Sequence, residues 1–467
     1  MTLRVLELND KGLRLSDGSG VLHSSPGYAL VSPQAIEFGD SALSQSRLNP
    51  LNSYNQFWHR LSVDPFARPV AHFRHNADIA FSHLQHLAEQ TQLEGDVLLA
   101  LSGSFSREKM AILLGLMKQS PMNAVGIVDA SLAATIDRHD AETILHADLE
   151  LHQVVLSKLR KVGGDWKREG VLLVPSAGWD NISENLMQLF TNAFIQQCRF
   201  NPQHNAASEQ MLFEGLPHYL QEYNADQSAQ AADESQSSLK IKLQHNDNVH
   251  EISLPRSSVY SRLNAFYQKI LQQLASLDDT GGSPLFVSDR LGQLPQVLDV
   301  LGQHQGCLRE VQMLSEDAVA HSCLRYSDAL VSGADAVRFV SQLESKREEP
   351  QPISHRDAQS PQATHILYGH CAVPLRAGVL IRQLGTGAEQ GVRVRIVTDA
   401  PDKLPSNAIA LAQISVNNGQ YTVHQNEALT LNGVKIAASE VLALGDDLQF
   451  PSLSESLKLI AVQEQDA

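Results

Sequence analysis

Histidine and aspartate side chains, which are common metal ligands, are concentrated in residues 139–152. The segment contributes His139, His146 and His152 together with Asp140 and Asp148. No His-x-x-x-His pair, the spacing that puts two histidines on one helix face, occurs in it. Because the 19 histidines of the chain are spread along its length, we interpret the group as chance proximity and predict no metal site.

A second candidate for chemistry is the serine group Ser-Gly-Ser-Phe-Ser at 102–106, which follows an apolar run. Hydrolases place a nucleophilic serine at such a strand-to-helix turn, within a Gly-x-Ser-x-Gly frame. The group lacks that frame, and a serine before a helix caps the free N–H groups of its first turn. We therefore predict that Ser104 or Ser106 is a helix cap and not a nucleophile.

Length and charge restrict the classes of protein. The 467 residues, 43% of them hydrophobic, are enough for two or three domains with their own cores. The net charge of −16 repels phosphate backbones and anionic lipid. We therefore expect an unknown partner protein, and neither nucleic acid nor a membrane surface, as the binding partner.

Targeting signals and cysteine spacing suggest a compartment. The first residues lack an apolar signal-peptide core, and no run of apolar residues is long enough for a membrane span. The cysteines at 198, 307, 323 and 371 show no paired C-x-x-C spacing, so neither a zinc site nor a disulfide framework is indicated. We expect a cytoplasmic protein, in a bacterium, without a membrane span.

The order of periodic segments favours an α/β architecture. A hairpin is predicted over 3–15, with Gly12 supplying an unusual backbone angle in its turn. Helical patterns at 53–61 and 79–93 lead to a strand at 97–103, a helix from Arg107, and a strand at 124–130. Strand, helix, strand in this order implies parallel pairing with crossover helices.

The alternation of strands and helices continues to residue 301, and a linker and a domain of strands are predicted after it. A hairpin is predicted at 143–159, helices at 180–224, a solvated loop at 225–238, and strand, loop and helix at 284–301. The charged, proline-containing residues 341–363 indicate a linker. Short strands separated by Asn-Gly and Gly-Asp turns follow, so 364–467 reads as an all-β domain.

Several of these segments have the order and spacing of a known ATPase domain. Residues 36–52 (IEFGDSALSQSRLNPLN) hold a Gly-Asp-x-Ala group and an Asn-Pro pair before a helical pattern. Residues 99–135 run as strand, Phe-containing turn, helix, strand and Ala-Ala loop, and the segments 285–301 and 316–323 follow in order. Together they resemble the nucleotide-binding domain of the heat-shock 70 kDa (DnaK-type) chaperones and, more distantly, bacterial actin-like proteins.

The resemblance implies a two-lobed actin-like (ribonuclease H-like) ATPase fold over residues 1–340. It also implies ATP and Mg²⁺ as cofactors if the loops still bind nucleotide, and none if they are degenerate. As catalytic residues of an active enzyme it implies Glu7 and Asp148, which would hold a magnesium-bound water. The nucleotide-binding positions that it implies are Asn9, Asp10, Lys11, Gly12, Asp129, Glu150, His152, Asp289, Arg290 and Gly292.

The loops at these positions depart from the family. Small residues and glycines let backbone N–H groups wrap a phosphate closely. The first hairpin instead carries Asn9, Asp10 and Lys11, and the second carries Leu-Glu-Leu-His after Asp148. In the third loop, Asp-Arg-Leu stands where adjacent glycines are expected, and only Gly292 remains. A carboxylate such as Glu150 in a phosphate cradle would repel a nucleotide.

Two functional hypotheses follow. The first is a pseudo-ATPase that acts as a chaperone-like scaffold through protein–protein interaction. The alternative is an active ATP-binding and ATP-hydrolysing chaperone of the heat-shock 70 kDa type. Asp129 either faces the catalytic cleft, as in active relatives, or caps the helix that follows it. Self-association into a dimer or filament is compatible with both.

The tail has a resemblance of its own. Residues 429–450 place an Asn-Gly turn at 432–433 and a Gly-Asp turn at 445–446. This segment resembles the last strands of a forkhead-associated domain, a family that binds phosphothreonine. The arginine and serine–histidine motifs that read the phosphate there are not identifiable here, so we predict a structural β-sandwich.

Overall fold

The structure is a computed structural model. It describes residues 3–461 except 33–35, 69, 140, 230–237, 246–247, 279–281, 305–306, 333–336, 347–363, 369–370, 376–378, 385–391, 396–407, 418–419, 426–428, 433, 436–438 and 451–455. The chain divides into two compact units. The first comprises 1–224, 235–304 and 311–347, and the second comprises 225–234, 305–310 and 348–467.

Helices and strands alternate through the first half of the chain. Up to residue 229 the elements are β1 (Arg4–Asn9), β2 (Gly12–Asp17), β3 (Gly20–Pro26), β4 (Ala29–Val31), β5 (Ile36–Phe38), α1 (Gly39–Leu43), β6 (Ser53–Tyr54), α2 (Asn76–Thr91), β7 (Gly95–Leu101), α3 (Arg107–Met117), β8 (Met122–Asp129), α4 (Ala130–Thr135), β9 (Thr143–Leu149), β10 (Gln153–Val162), β11 (Asp165–Pro175), α5 (Trp179–Cys198) and α6 (Ala206–Ala229).

The same alternation continues to residue 344, and the described elements beyond it are strands. The elements up to residue 344 are β12 (Ser238–His245), β13 (Asn248–Pro255), α7 (Arg256–Leu277), β14 (Leu285–Val287), α8 (Asp289–Gly292), α9 (Val297–Leu301), β15 (Gln303–His304), β16 (Cys307–Leu308), β17 (Val311–Met313), α10 (Ala318–Arg325), α11 (Ser327–Leu330), β18 (Phe339–Val340) and β19 (Gln342–Glu344). The strands that follow are β20 (His365–Tyr368), β21 (Cys371–Pro374), β22 (Val379–Leu384), β23 (Val392–Arg395), β24 (Ala408–Asn417), β25 (Gln420–Gln425), β26 (Thr430–Leu431), β27 (Val434–Lys435), β28 (Ser439–Leu442), β29 (Asp447–Gln449) and β30 (Leu457–Ile460).

The first unit is built on two six-stranded sheets that share the order of five strands and carry the sixth, β18 or β19, at opposite edges. One runs β3-β2-β1-β7-β8-β18 and the other β19-β11-β10-β9-β14-β17. In each, three antiparallel strands consecutive in the chain are followed by two parallel ones: β1 pairs in parallel with β7, and β9 with β14. The predicted mixed α/β class is therefore confirmed, and the fold contains an internal repeat.

Two short helices form the core that the two sheets share. Helix α4 packs on α10, and small side chains such as Ala133 and Ala320 allow this approach. Their apolar core also includes Val5 and Leu98 of the first sheet and Ile144 of the second. Burial of this continuous apolar surface is the main stabilising term that joins the sheets.

Several boundaries differ from the predictions. No helix forms at 53–61, where β6 pairs with β4 and buried Phe57 and Trp58 follow in turns. Helix α6 continues to Ala229, into the predicted loop. The start of the predicted linker 341–363 is strand β19, which pairs with β11. At β6 and β19, strand pairing stabilises a backbone that local composition did not specify.

Gly12 also has another role than the one predicted. The hairpin of β1 and β2 forms as expected, but Gly12 has no positive φ. A Cβ on it would lie 2.8 Å from the carbonyl oxygen of Ser25 on β3. Glycine therefore serves close strand packing at this position, and not the turn geometry.

In the second unit, the described strands form two sheets with their own core. The sheet orders are β21-β20-β30-β29-β26-β27 and β23-β22-β24-β25-β28. The turn predicted at Asn432 has the left-handed conformation, with φ +52°. Its side-chain Nδ2 donates to Asp446 Oδ1 at 2.7 Å, so the two predicted turns fix one another. Gly433 lies outside the described residues.

Within the first unit, His83 on α2 is fully buried and neutral. Its Nδ1 accepts a hydrogen bond from Trp58 Nε1 at 3.0 Å, so its Nε2 carries the proton and donates to Ser25 Oγ at 2.8 Å. Burial, with smaller contributions from His86 and His23, lowers the pKa of His83 to about 3. The side chain stays uncharged because no acidic partner compensates for its desolvation.

Replacing His83 by Gln should flatten the acid sensitivity of the fold. The pKa of about 3 in the folded state lies below the usual value of about 6.5 for unfolded histidine. The contribution to stability is therefore complete above pH 6.5 and falls as the pH drops toward 3, by roughly 1.4 kcal/mol per unit. In urea unfolding followed by circular dichroism, the parent should lose roughly 2 kcal/mol more than His83→Gln between pH 7 and pH 5.

The exposed His204 provides a matched control on the same unit. The His204→Gln variant should keep the parent's pH dependence. Equal pH slopes in the parent and in His83→Gln would contradict the assignment of a buried neutral imidazole.

Candidate functional site

The turns of two hairpins meet at the centre of the first unit. Asn9, which ends β1, donates from Nδ2 to Asp148 Oδ2 at 2.6 Å and to the carbonyl of Leu149 at 3.3 Å. In return, the backbone N–H of Leu151 donates to Asp10 Oδ1. Each turn therefore supplies a side chain that satisfies the other. The positions that the resemblance assigned to two separate hairpins are brought together.

Each turn is also packed closely by a glycine that follows the third strand of its own sheet. A Cβ on Gly27 would lie 2.1 Å from the carbonyl oxygen of Asp10. A Cβ on Gly178 would lie 2.3 Å from the backbone nitrogen of Gln153. No side chain fits in either place, so both turns are held rigidly from behind.

Arg290 lies between the two carboxylates that the resemblance assigned to catalysis. Its Nη1 is 2.6 Å from Glu7 Oε1 and 3.9 Å from Asp148 Oδ1. All three side chains are nearly buried. Although burial alone would lower the pKa of Arg290, the charges of Glu7 and Asp148 outweigh it and raise the pKa above its ordinary value. The guanidinium therefore acts as a fixed counter-ion to both carboxylates.

A second ion pair beside it closes the third loop. Arg14 on β2 makes a bidentate pair with Asp289, at 2.9 and 3.2 Å, and donates to the carbonyl of Glu316 at 2.9 Å. Burial raises the pKa of Asp289, but the hydrogen bonds and charge of Arg14 more than offset this and leave it below its usual value. The third loop is thus tied to the first hairpin, and Asp289 is not available to a nucleotide.

The space left between these groups is small. It is lined by Glu7, Arg14, Ala130, Ala134, His146, Asp148, Ser288, Asp289, Arg290, Leu314, Ser315, Glu316, Ala318 and Val319. The volume that the centre of a water molecule can reach is about 20 Å³. This suffices for a bound water and is far too small for a nucleotide.

Glu150 and Asp129 are both fully buried and hydrogen-bonded within the protein. Oε1 of Glu150 accepts hydrogen bonds from Ser102 and Ser104, both at 2.6 Å, and Oε2 accepts one from Gln153 at 2.6 Å. Burial, with the charge of Asp10, raises the pKa of Glu150 to about 8. Glu150 is therefore a largely neutral link between two loops, and both of its carboxyl oxygens are occupied by internal hydrogen bonds.

Asp129 takes the second of the two roles considered for it. It caps α4 by accepting from Leu132 N at 3.0 Å, and it is ion-paired with Arg168 on β11. The SGSFS segment likewise behaves as predicted, since Ser106 caps α3 by accepting from Lys109 N. Both carboxylate and hydroxyl satisfy free N–H groups of a helix N-terminus.

Two further predicted positions, Lys11 and Gly292, contact neighbouring side chains. The ammonium of Lys11 lies 5.0 Å from the ring centroid of Trp179, and burial, with the charge of Arg290, lowers the pKa of Lys11 to about 8. A Cβ on Gly292 would lie 2.5 Å from the Met313 side chain. Gly292 therefore serves contact between α8 and β17.

His152 and Asp10 meet a residue that was not singled out from the sequence. Nδ1 of His152 and Nδ1 of His59 both lie 3.3 Å from Asp10 Oδ2. The two imidazole rings stack with centroids 4.8 Å apart. Burial raises the pKa of Asp10, but the nearby His152 and His59 outweigh it and hold the pKa below its usual value. His139 and His146 take no part in this cluster.

Most contacts of the missed partners had no sequence signal. Arg168 and His59 lie far in sequence from the carboxylates that they contact, as does Arg14 from Asp289. Arg14 also lies opposite Glu7 in the predicted hairpin, 4.0 Å from it. Glu7 was found only through the resemblance, whereas Asp148 also belonged to the histidine–aspartate group at 139–152. Spacing along the chain identifies groups within one element and not groups from opposite sheets.

Replacing Arg290 by Met should destabilise the first unit strongly. The change keeps most of the side-chain volume and leaves Glu7 and Asp148 buried without their cation, which typically costs about 3–5 kcal/mol. The exposed Arg74, which pairs with Asp78, provides the control, since Arg74→Met should change the free energy of unfolding little. Urea unfolding measures both, and similar losses in the two variants would contradict the buried pairing.

Comparisons with known proteins do not assign this geometry to a family. No protein-family model matches the sequence, and no curated protein matches it. None of the described helices has the length and apolar composition needed to cross a membrane. The resemblance to the actin-like ATPases therefore rests on the sequence motifs alone.

Proposed function

We propose that this protein is a pseudo-ATPase, an actin-like ATPase fold that serves as a scaffold through protein–protein interaction. The fold assignment is supported by the strand order that recurs in the two sheets of the first unit. It is also supported by the meeting of the first and second hairpin turns. The motif at 99–135, which carries most of the sequence resemblance, forms β7, α3, β8 and α4 in the expected order.

The position of Arg290 is the observation that best supports the proposed loss of ATPase activity. If this protein were an active ATPase, Glu7 and Asp148 would hold a magnesium-bound water. Here a guanidinium 2.6 Å from Glu7 already neutralises these carboxylates. A magnesium ion would have to displace a buried arginine whose own charge would then be unpaired. That displacement is costly, so the residues present do not fit the metal.

Backbone N–H groups of the turns, which could otherwise bind a phosphate, already donate to side chains of the protein. Backbone N–H groups in a tight turn form an anion site only when they are free. Lys11 N donates to Asn9 Oδ1 at 2.8 Å, and Leu151 N donates to the carboxylate of Asp10. Asp10 thus occupies a donor that a phosphate oxygen would need, and its negative charge repels the nucleotide.

Calorimetric titration of the full chain with Mg²⁺–ATP, and separately with ADP, tests this proposal. We expect no binding heat at millimolar nucleotide, because ion pairs and side-chain acceptors fill both the cation position and the turns. Micromolar binding would overturn the proposal and support the alternative of an active chaperone ATPase.

Phosphate release provides an independent check. We expect the same background rate in the parent and in Asp148→Asn, since a trace contaminant would be unaffected by the substitution. A rate that falls at least about tenfold in Asp148→Asn would assign hydrolysis to this site. A second copy of this chain is one candidate partner of such a scaffold. Concentration-dependent light scattering detects this self-association.

A further inference from the structure

We propose that Asp10, His59 and His152 form a binding site for a divalent transition-metal ion, which clamps the two hairpin turns together. This site goes beyond the scaffold function and does not depend on it. It also differs from a magnesium–nucleotide site in its ligands, since imidazole nitrogens suit Zn²⁺ and related ions and carboxylate-rich sites suit Mg²⁺.

The spacing of the donor atoms fits one ion. Nδ1 of His59 and Nδ1 of His152 each lie 3.3 Å from Asp10 Oδ2, and the three donor groups fall within 4.8 Å of one another. Metal–ligand distances of about 2.0–2.2 Å in a tetrahedral site place donor atoms about 3.3–3.5 Å apart. Two of the separations therefore already have the value that a shared zinc ion requires.

The same three atoms lack hydrogen bonds. Asp10 Oδ2, His59 Nδ1 and His152 Nδ1 are buried, and none makes a hydrogen bond of acceptable geometry with the described residues. The Asp10 side chain is only 4% exposed, so its unpaired oxygen is a costly group. One cation at the centre of the three would satisfy all of them at once.

Hydrogen bonding within the cluster requires each imidazole to carry its proton on Nδ1, so that both donate to the single oxygen Asp10 Oδ2. At these two 3.3 Å contacts the atoms do not have acceptable hydrogen-bond geometry. A divalent ion suits the same three atoms, because neutral histidine and carboxylate are its preferred ligand forms.

Groups around the cluster orient the Asp10 carboxylate and leave a path by which an ion can enter. Asp10 Oδ1 accepts from Leu151 N, which fixes the carboxylate so that Oδ2 faces the histidines. The His59 side chain is 29% exposed, and this leaves a path for the ion and for a water as fourth ligand. Asp10 belongs to the first hairpin and His152 to the second, so the ion would cross-link the two sheets.

Titration of the EDTA-treated full chain with Zn²⁺ tests this proposal. We expect one equivalent to bind with micromolar or tighter affinity and to raise the melting temperature. Asp10→Asn, which keeps the acceptor for Leu151 N, and His152→Gln should each weaken binding at least about tenfold. With Co²⁺ as the probe, the visible absorption of a tetrahedral complex should appear in the parent and be lost in both variants.

The exposed His218–Glu222 pair on α6 is the control for weak surface coordination, and His218→Gln should bind Zn²⁺ as the parent does. His59→Gln, at the solvent-exposed edge of the cluster, gives a third variant if either buried substitution disturbs folding as judged by circular dichroism. Absence of Zn²⁺ binding, or parent-like affinity in Asp10→Asn and His59→Gln, would overturn the proposal.

Discussion

The need to neutralise buried carboxylates determines how the centre of the first unit is built. Glu7, Asp10, Asp129, Asp148 and Glu150 are all less than a tenth exposed. A charge in such surroundings must be paired, protonated or bound to a cation. The chain shows two of these solutions: Arg290 and Arg168 neutralise by pairing, and the raised pKa of Glu150 leaves it largely neutral. Under our proposal, the histidines beside Asp10 provide the third by binding a cation.

These pairings connect elements that are distant in the chain. Arg290 on α8 reaches Glu7 on β1, and Arg14 on β2 reaches Asp289. Asn9 joins the first hairpin to the second. A site that in an ATPase must open to admit nucleotide is thus closed by contacts that also hold the two sheets together. In this arrangement stability and nucleotide binding compete for the same side chains, which is the physical basis of the pseudo-ATPase proposal.

Much of the fold could be predicted because its signals are local. The buried strands β7 and β8, the helix from Arg107 with its Ser106 cap and the two hairpins are all encoded by contiguous residues. The wrong predictions of secondary structure lie in segments whose composition favours no single element. The segment at 53–61 alternates too little to separate a helix from turns, and Gln342–Glu344 forms a strand only because β11 provides an edge. The sequence motif also located most of the residues that meet at the turns.

The amino-acid sequence by itself determined the mixed α/β class, the hairpins, and the charged side chains that the hairpin turns carry. Whether Glu150 faced a ligand, whether Glu7 and Asp148 were free, and which histidine met Asp10 were decided only by the tertiary structure. The reason is that electrostatic compensation depends on distances across sheets. The sequence gives the identity of an acidic residue but not whether its carboxyl group is neutral, paired with arginine or turned toward imidazole. Only the packing of the two sheets selects among these states.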